Sequence, residues 1–300
     1  MNPVQENMKR ENGGRKSFQE LYAEIVSDAE VAEFIAQHQL TEDQVSRSLS
    51  KFFEYLNERK KYLAKDSAYI AVGYKPVLVM NEGYADVSYQ ETQALLDYRK
   101  AEAIKNRIQL ISLPASLKSV TAADLDFEDV NRMPIYEAIS EFLERVGRDN
   151  KGLYVFGNFG IGKSYLMAYL AHQLSVRHEL ATTMLHYPTF VVDIKNAISS
   201  GSVKERIDDI KAAQVLILDD IGAEQHSSWV RDDVLQVILQ YRMQENLPTF
   251  FTSNFSFADL ERHFSSGKTG DETWQARRVM ERIRYLAREI HLEGSNRRHD

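Results

Sequence analysis

Residues 157–164 read Gly-Asn-Phe-Gly-Ile-Gly-Lys-Ser, a run in which a glycine-rich turn ends on a lysine and a hydroxyl. Backbone N–H groups that converge on phosphate oxygens need a chain free of Cβ atoms at the closest approaches, and glycine provides it. Gly157, Asn158, Phe159, Gly160, Ile161 and Gly162 are expected to wrap the phosphates of ATP. Lys163 would reach the β- and γ-phosphates, and the Ser164 hydroxyl would ligate Mg²⁺. The context fits: an apolar strand at Leu153–Phe156 precedes the loop, and a helical pattern over Lys163–Leu174 follows it. The N-terminal end of that helix adds its positive dipole.

A second chemical signal is Val215-Leu-Ile-Leu-Asp219-Asp220, four apolar residues followed by two carboxylates. A buried strand ending in acids places them where open α/β sheets bind ligands. Asp219 would hold Mg²⁺, directly or through water, and Asp220 would orient the attacking water as general base. Taken alone the pair reads as solvated acids in a turn; its position after a phosphate loop favours the catalytic reading. Thr249-Phe-Phe-Thr-Ser-Asn254 is a third strand with a polar end, and Asn254 is placed to sit between the carboxylates and the γ-phosphate. Arginines crowd the end of the chain, at 277, 278, 282, 284, 288, 297 and 298, without a lysine among them. Arginine suits rigid recognition of phosphate or carboxylate. Interspersed Glu281 and Glu289 make most of them salt-bridged surface.

These residues must be held by a scaffold. From residue 150 onward strands and helices alternate: Thr182–Leu185 strand, Phe190–Ile198 helix, Val215–Leu218 strand, Val234–Met243 helix, Thr249–Thr252 strand. That rhythm predicts an α/β fold with a parallel sheet covered on both faces. Pro134 opens a helix with Ile135, Ile139, Phe142, Leu143 and Val146 on one face. Residues 17–64 carry apolar residues at helical spacing and predict two or three helices. Short strands are expected at Tyr69–Val72 and Val77–Met80, with a turn at Asn81-Glu82-Gly83. The expected organisation is a smaller, mostly helical N-terminal domain at 1–113, a linker at 114–134 and a P-loop ATPase domain at 135–300. Residues 1–16 are charged and contain Gly13 and Gly14, the texture of a frayed start.

The bulk numbers narrow the function classes. Three hundred residues suffice for two domains, and 43% hydrophobic with 27% charged residues is ordinary for a globular protein. A formal charge of −7 opposes a surface that binds nucleic acid everywhere, leaving room for a local basic site. With no cysteine, disulfides and thiolate zinc sites are excluded. No signal-peptide pattern and no long apolar window are present, so a cytoplasmic location and no membrane partner are expected.

The order GNFGIGKS, VLILDDIG, FFTSN and VMERIR resembles the DnaC/DnaI-type helicase loaders of bacteria, a branch of the AAA+ ATPases, over nearly the whole chain. The resemblance implies an ATP-dependent loader of the hexameric replicative DNA helicase onto single-stranded DNA during primosome assembly. It also implies self-association in a ring or helical oligomer. Lys163, Ser164, Asp219 and Asp220 keep the roles above. Asn254 matches the first sensor, Arg282 the arginine finger that reaches a neighbour's γ-phosphate, and Arg297 or Arg298 the second sensor. Tyr187–Lys211 matches the helical insertion of initiators and loaders, where Lys195, Lys204 and Arg206 with Tyr187 and Phe190 would meet a DNA strand, although core packing is the favoured reading of Phe190. Family members usually bind zinc in the N-terminal domain; this chain lacks the cysteines, so that domain is expected to bind its partner without metal, with Phe52, Phe53, Tyr55 and Tyr62 as candidates. A transposition-helper AAA+ ATPase and a P-loop nucleotide-gated adaptor are the alternatives, and a P-loop small-molecule kinase explains only the first motif.

Overall fold

The computed structural model describes residues 17–199, 201–225, 227–267 and 270–297. The glycine-containing start at 1–16 and Arg298 lie outside the described residues. Contacts divide the chain into two compact units, residues 1–100 and 101–300.

The first unit begins with three helices, α1 (Phe18–Val26), α2 (Ala29–Gln37) and α3 (Glu42–Ala64). Each starts where a side chain satisfies the free amides of the first turn. Ser17 and Glu20 form a capping box, as do Thr41 and Gln44, and Asp28 accepts from the amides of Glu30 and Val31. Strands β1 (Tyr74–Asn81) and β2 (Tyr84–Glu91) form an antiparallel hairpin. Its turn residues Glu82 and Gly83 have φ of 50° and 87°, the left-handed pair that suits a two-residue hairpin turn. Ile25, Val31, Phe34, Val45, Leu49, Phe52 and Tyr55 build the core together with Ala85 of the hairpin. Phe52 and Tyr55 are therefore core residues, Tyr62 is half-buried, and Phe53 stands exposed. The strand expected at Tyr69–Val72 is absent. The hairpin register ends at the Tyr74–Glu91 pair, so residues 69–72 have no partner strand. Tyr69 turns inward and donates to the Tyr74 carbonyl, whereas Ile70 and Val72 are exposed.

The division falls within α4 (Gln93–Asn106). The second unit continues with β3 (Ile108–Ile111), α5 (Met133–Arg145), β4 (Gly152–Phe156), α6 (Lys163–His178), β5 (Thr182–His186), α7 (Tyr187–Ala197), α8 (Val203–Lys211) and β6 (Val215–Asp219). A π-helical segment, Val230–Leu235, runs into α9 (Gln236–Gln244), followed by β7 (Thr249–Ser253) and α10 (Phe257–Ser265). The short strands β8 (Ser266–Gly267) and β9 (Gly270–Asp271) precede α11 (Thr273–Leu286) and β10 (Ala287–His291).

Six strands form a parallel sheet in the order β10-β4-β7-β6-β5-β3. Alternate residues of β6 feed opposite faces, as the period of two requires. Leu216 and Leu218 join the cluster containing Phe251 and Val279; Val215 and Ile217 join the one containing Phe142 and Leu170. Both faces are thus covered, which explains the unbroken apolar run. This is the α/β, AAA+ P-loop architecture, preceded by a smaller, mostly helical unit.

Two expectations need correction. Residues 108–111, assigned above to the N-terminal domain, are the edge strand of this sheet, paired with β5. The stretch 114–134 is no free linker: Leu117, Val120 and Arg132 are buried, the first two in the same cluster as Ile135 and Ile139. It folds in three short 3-10 turns, at Ala115–Ser119, Ala122–Asp124 and Val130–Arg132. Turns this short leave no 3.6-residue periodicity in the sequence. The arginine-rich end also divides, since α11 stops at Leu286 and β10 lies beside β4.

Candidate active site

Strands β4, β5, β6 and β7 deliver their carboxyl ends to one cleft of about 860 Å³. The phosphate loop leaves β4 and closes on α6. Gly157 admits no side chain, because a Cβ there would lie 2.2 Å from the Leu292 carbonyl oxygen. Gly162, with φ of 93°, turns the chain into the first turn of α6. Lys163 follows at once and is buried, not exposed as a loop-tip lysine would be. Its Nζ donates to the carbonyls of Gly157 (2.9 Å) and Asn158 (2.8 Å) and to Asn254 Oδ1 (2.7 Å). Phe159, at the loop's tip, stands exposed on the rim.

The acids and their partners form one network. The Ser164 hydroxyl lies 2.8 and 2.9 Å from the two carboxylate oxygens of Asp219. Thr252 Oγ1 donates to Asp219 Oδ1 at 2.7 Å and accepts from the Asp220 amide at 2.8 Å. Asn254 Nδ2 donates to Asp220 Oδ1 at 2.9 Å. One amide side chain thus links the loop lysine to the second acid. Burial raises the Asp219 pKa, opposed by the hydrogen bonds from Thr252 and Ser164, with Asp220 raising it further. Asp220 has φ of 62°, a left-handed conformation uncommon outside glycine and concentrated at functional sites. His186 Nε2 lies 4.0 Å from Asp220 Oδ2, and its other ring nitrogen is 2.7 Å from Thr189 Oγ1.

Most residues read from sequence as the nucleotide site come together; Gly157, Asn158, Ile161 and Arg282 are not among those that line the cleft. Gly160, Gly162, Lys163, Ser164, Asp219, Asp220 and Asn254 line the cleft. Arg282 sits half-buried on α11, its Nε donating to Gln240 Oε1 at 2.8 Å and a terminal nitrogen to the Arg278 carbonyl at 2.5 Å. The stacking role for Tyr187 and Phe190 is corrected: both are buried in the core of the second unit. Lys195 is half-buried, while Lys204 and Arg206 are exposed.

Other residues escaped the sequence reading. Ser112 and Leu113, read as the end of the N-terminal domain, line the cleft together with Pro114, Leu117 and Leu125 from the stretch read as a linker. His186 at the end of β5 and Thr189 in the first turn of α7 line it, beside the strand carboxyl end where ligands of such sheets gather. Arg132 also lines it; a terminal nitrogen of its guanidinium donates to the Ile161 carbonyl. Glu224 is buried beyond Asp220 and accepts from the Gly222 amide at 2.7 Å; burial pushes its pKa up to about 7.

The donors fit nucleotide and a hard cation. A hydroxyl against a buried carboxylate is an all-oxygen set, suited to a Mg²⁺ that takes its remaining ligands from water and substrate phosphates. Among the described residues no group of three or more His, Cys, Asp or Glu is arranged to hold a metal unaided. No described helix is long and apolar enough to cross a membrane.

Comparison with known proteins adds two family matches: the primosomal protein DnaI N-terminus over residues 1–89, and the IstB-like ATP-binding protein over residues 76–299. A replicative helicase loader DnaI of Bacillus subtilis (strain 168) is 34% identical over 296 residues, 95% of this chain and 94% of that protein. The chain belongs to the DnaI family of helicase loaders. A crystal structure of a candidate primosome component from Streptococcus pyogenes serotype M3 is 56% identical with a TM-score of 0.56, covering 65% of this chain and 98% of that one. The DnaC helicase loader, 19% identical with a TM-score of 0.51 over 59% of this chain and 99% of that one, shares the fold. The DnaI family thus frames both parts of the molecule: a nucleotide-binding ATPase unit, and an N-terminal region of the DnaI type.

Proposed function

We propose that this protein loads the replicative DNA helicase onto single-stranded DNA, using ATP bound in the cleft of the second unit. The carrying observation is that one chain joins a DnaI-type N-terminal region to a P-loop site at the carboxyl edge of a parallel sheet. An ATPase core alone would serve the transposition-helper reading equally well; the N-terminal match favours the loader.

In the chemistry we assign, Lys163 leaves its present carbonyl partners to reach the β- and γ-phosphates. Ser164 and Asp219 would hold Mg²⁺, which would neutralise charge on the phosphates. Asp220 orients the attacking water and takes its proton as the bond to the γ-phosphorus forms and the bond to the ADP oxygen breaks. Asn254 keeps the Asp220 carboxylate in register with Lys163. Arg282 completes the site of a neighbouring copy in a ring or helical oligomer, so turnover is slow for the isolated chain and rises with partners. Single-stranded DNA binds the second unit through a local basic surface that includes Lys204 and Arg206. The first unit captures the hexameric helicase without metal.

Loading is tested with purified helicase and a circular single strand: ATP should support transfer of helicase to DNA, and Lys163→Ala should abolish it. Transfer unaffected by Lys163→Ala would overturn the ATP-dependent reading. Capture is tested by mixing residues 1–100 with helicase on a sizing column, with and without chelator. A complex is expected in both cases; no complex would move the binding function elsewhere.

A further inference from the structure

The phosphate loop is held from outside by two segments far apart in sequence. The Arg297 backbone amide donates to the Gly160 carbonyl at 2.9 Å. An Arg132 terminal nitrogen donates to the next carbonyl, Ile161. Upstream, the Leu292 amide donates to the Phe156 carbonyl at 2.8 Å, so the tail leaves β10 along the base of the loop. The side chain of Asn296 lies against Gly160, where a Cβ would come within 2.1 Å of its Oδ1.

The two holding segments are themselves joined. The Arg297 guanidinium donates to Asp126 Oδ2 at 2.9 Å and Asp129 Oδ2 at 3.2 Å. The same Asp129 oxygen lies 3.5 Å from Arg132 Nε. Arg132 is 2% exposed. Burying a guanidinium is unfavourable unless it is paired and hydrogen-bonded, and here Asp129 and the Ile161 carbonyl supply those partners.

Peptide geometry gives this arrangement a consequence. A trans peptide is planar, and its N–H points opposite its C=O. Fixing the Gly160 carbonyl toward the tail turns the Ile161 amide the other way. Fixing the Ile161 carbonyl toward Arg132 does the same for the Gly162 amide. Successive amides of a phosphate loop must be aimed before the anion arrives if binding is not to lose free energy in ordering them. We propose that Arg132 and the tail residues Asn296 and Arg297, tied together through Asp129, form a buttress that pre-aims the phosphate-binding amides. They are positioning residues, acting through the loop.

The inference rests on the nucleotide-binding reading of the cleft. It is tested in the full chain by truncating after Gly294 and, separately, by Arg132→Gln. Equilibrium binding of a fluorescent ATP analogue and of inorganic tripolyphosphate is measured beside thermal midpoints without ligand. Truncation should weaken both ligands about tenfold, the loss expected when one or two hydrogen bonds that order a loop are removed. Binding stoichiometry and the ligand-free midpoint should hold, which a merely structural role would not produce. Arg132→Gln should weaken both ligands similarly, and combining the changes should cost less than the product of the two, because both act on one loop. If the parent binds ATP and both variants stay within twofold, the buttress is wrong and the nucleotide site stands. If only the ATP analogue is weakened and tripolyphosphate is not, these residues read the base or ribose, and the buttress is again wrong. If the parent itself binds neither ligand, both readings fall.

Discussion

Asn254 accepts from Lys163 with one end of its amide and donates to Asp220 with the other. Binding and chemistry are therefore separable at this site by single substitutions. Lys163→Ala should remove detectable ATP binding, and ATP affinity equal to the parent's by calorimetry would contradict the phosphate-loop assignment. Asp220→Asn keeps the shape and removes the base. It should leave ATP affinity within a few fold and lower kcat by roughly 10²–10⁴, the usual contribution of general acid–base catalysis. Glu224 gives a pH signature. Its folded pKa of about 7 lies above the ordinary 4.5, so the folded state holds the proton that the unfolded state has released. Folding then favours the neutral acid, and this contribution is lost as pH rises from 4.5 to about 7. Glu224→Gln keeps an acceptor for the Gly222 amide and removes the titration. Relative to parent it should gain up to about 3 kcal/mol between those pH values, read from urea denaturation at each pH; a pH-independent difference would contradict the assigned shift.

Between the Asp219–Asp220 acids and α11 runs the π-helical segment Val230–Leu235, a form often found at functional positions. Arg231 in this segment is 2% exposed and donates to Glu272 Oε2 at 2.5 Å and the Phe264 carbonyl at 2.8 Å. Ser228 Oγ reaches the other Glu272 oxygen at 3.3 Å. Glu272 stands at the N-cap of α11, the helix that carries Arg282. The loop beyond the acids and the proposed arginine finger are thus mechanically joined. Removing one member of a buried ion pair leaves the other uncompensated, at about 3–5 kcal/mol. Arg231→Ala should therefore lower stability by about that amount, measured by denaturant unfolding. A loss under about 1 kcal/mol would mean the pair is as dispensable as a surface bridge.

At the scale of the molecule, the contact division places the second unit's start at 101, ahead of β3. A fragment of residues 101–300 should fold cooperatively and bind ATP. One beginning at 135 loses the edge strand, the buried Leu117 and Val120, and Arg132, and should melt at lower temperature or fail to bind. Equal melting and equal affinity of the two would show that 101–134 is an appendage after all. Self-association gives a further test. Activity per chain should rise with protein concentration in the parent and stay flat in Arg282→Ala, whose nucleotide binding is retained.

How much of this was legible beforehand follows from the range of the interactions. The phosphate loop, its strand and helix, the Asp219–Asp220 strand end and the Asn254 strand end are local patterns, fixed by glycine conformation and by apolar runs of defined length. Their convergence followed from the parallel alternation of strands and helices. The sequence could not reveal that Lys163 would be buried against its own loop, since that depends on carbonyls turned inward by tertiary packing. Nor could it sort arginines of identical chemistry. Arg242 is wholly buried and bonded to the Lys211, Ala213 and Pro248 carbonyls, Arg282 is half-buried on α11, and Arg132 is set against the loop. The stretch 114–134 has too little periodicity to announce a packed cleft wall, and β10 follows a helix directly, its place set by pairing with β4, about 135 residues earlier. What the sequence by itself determined is the chemistry available and the elements that carry it, because those depend on neighbours along the chain. Only the tertiary structure decided which side chains are buried, which carbonyls they hold and which distant segments close the site, because those depend on neighbours in space.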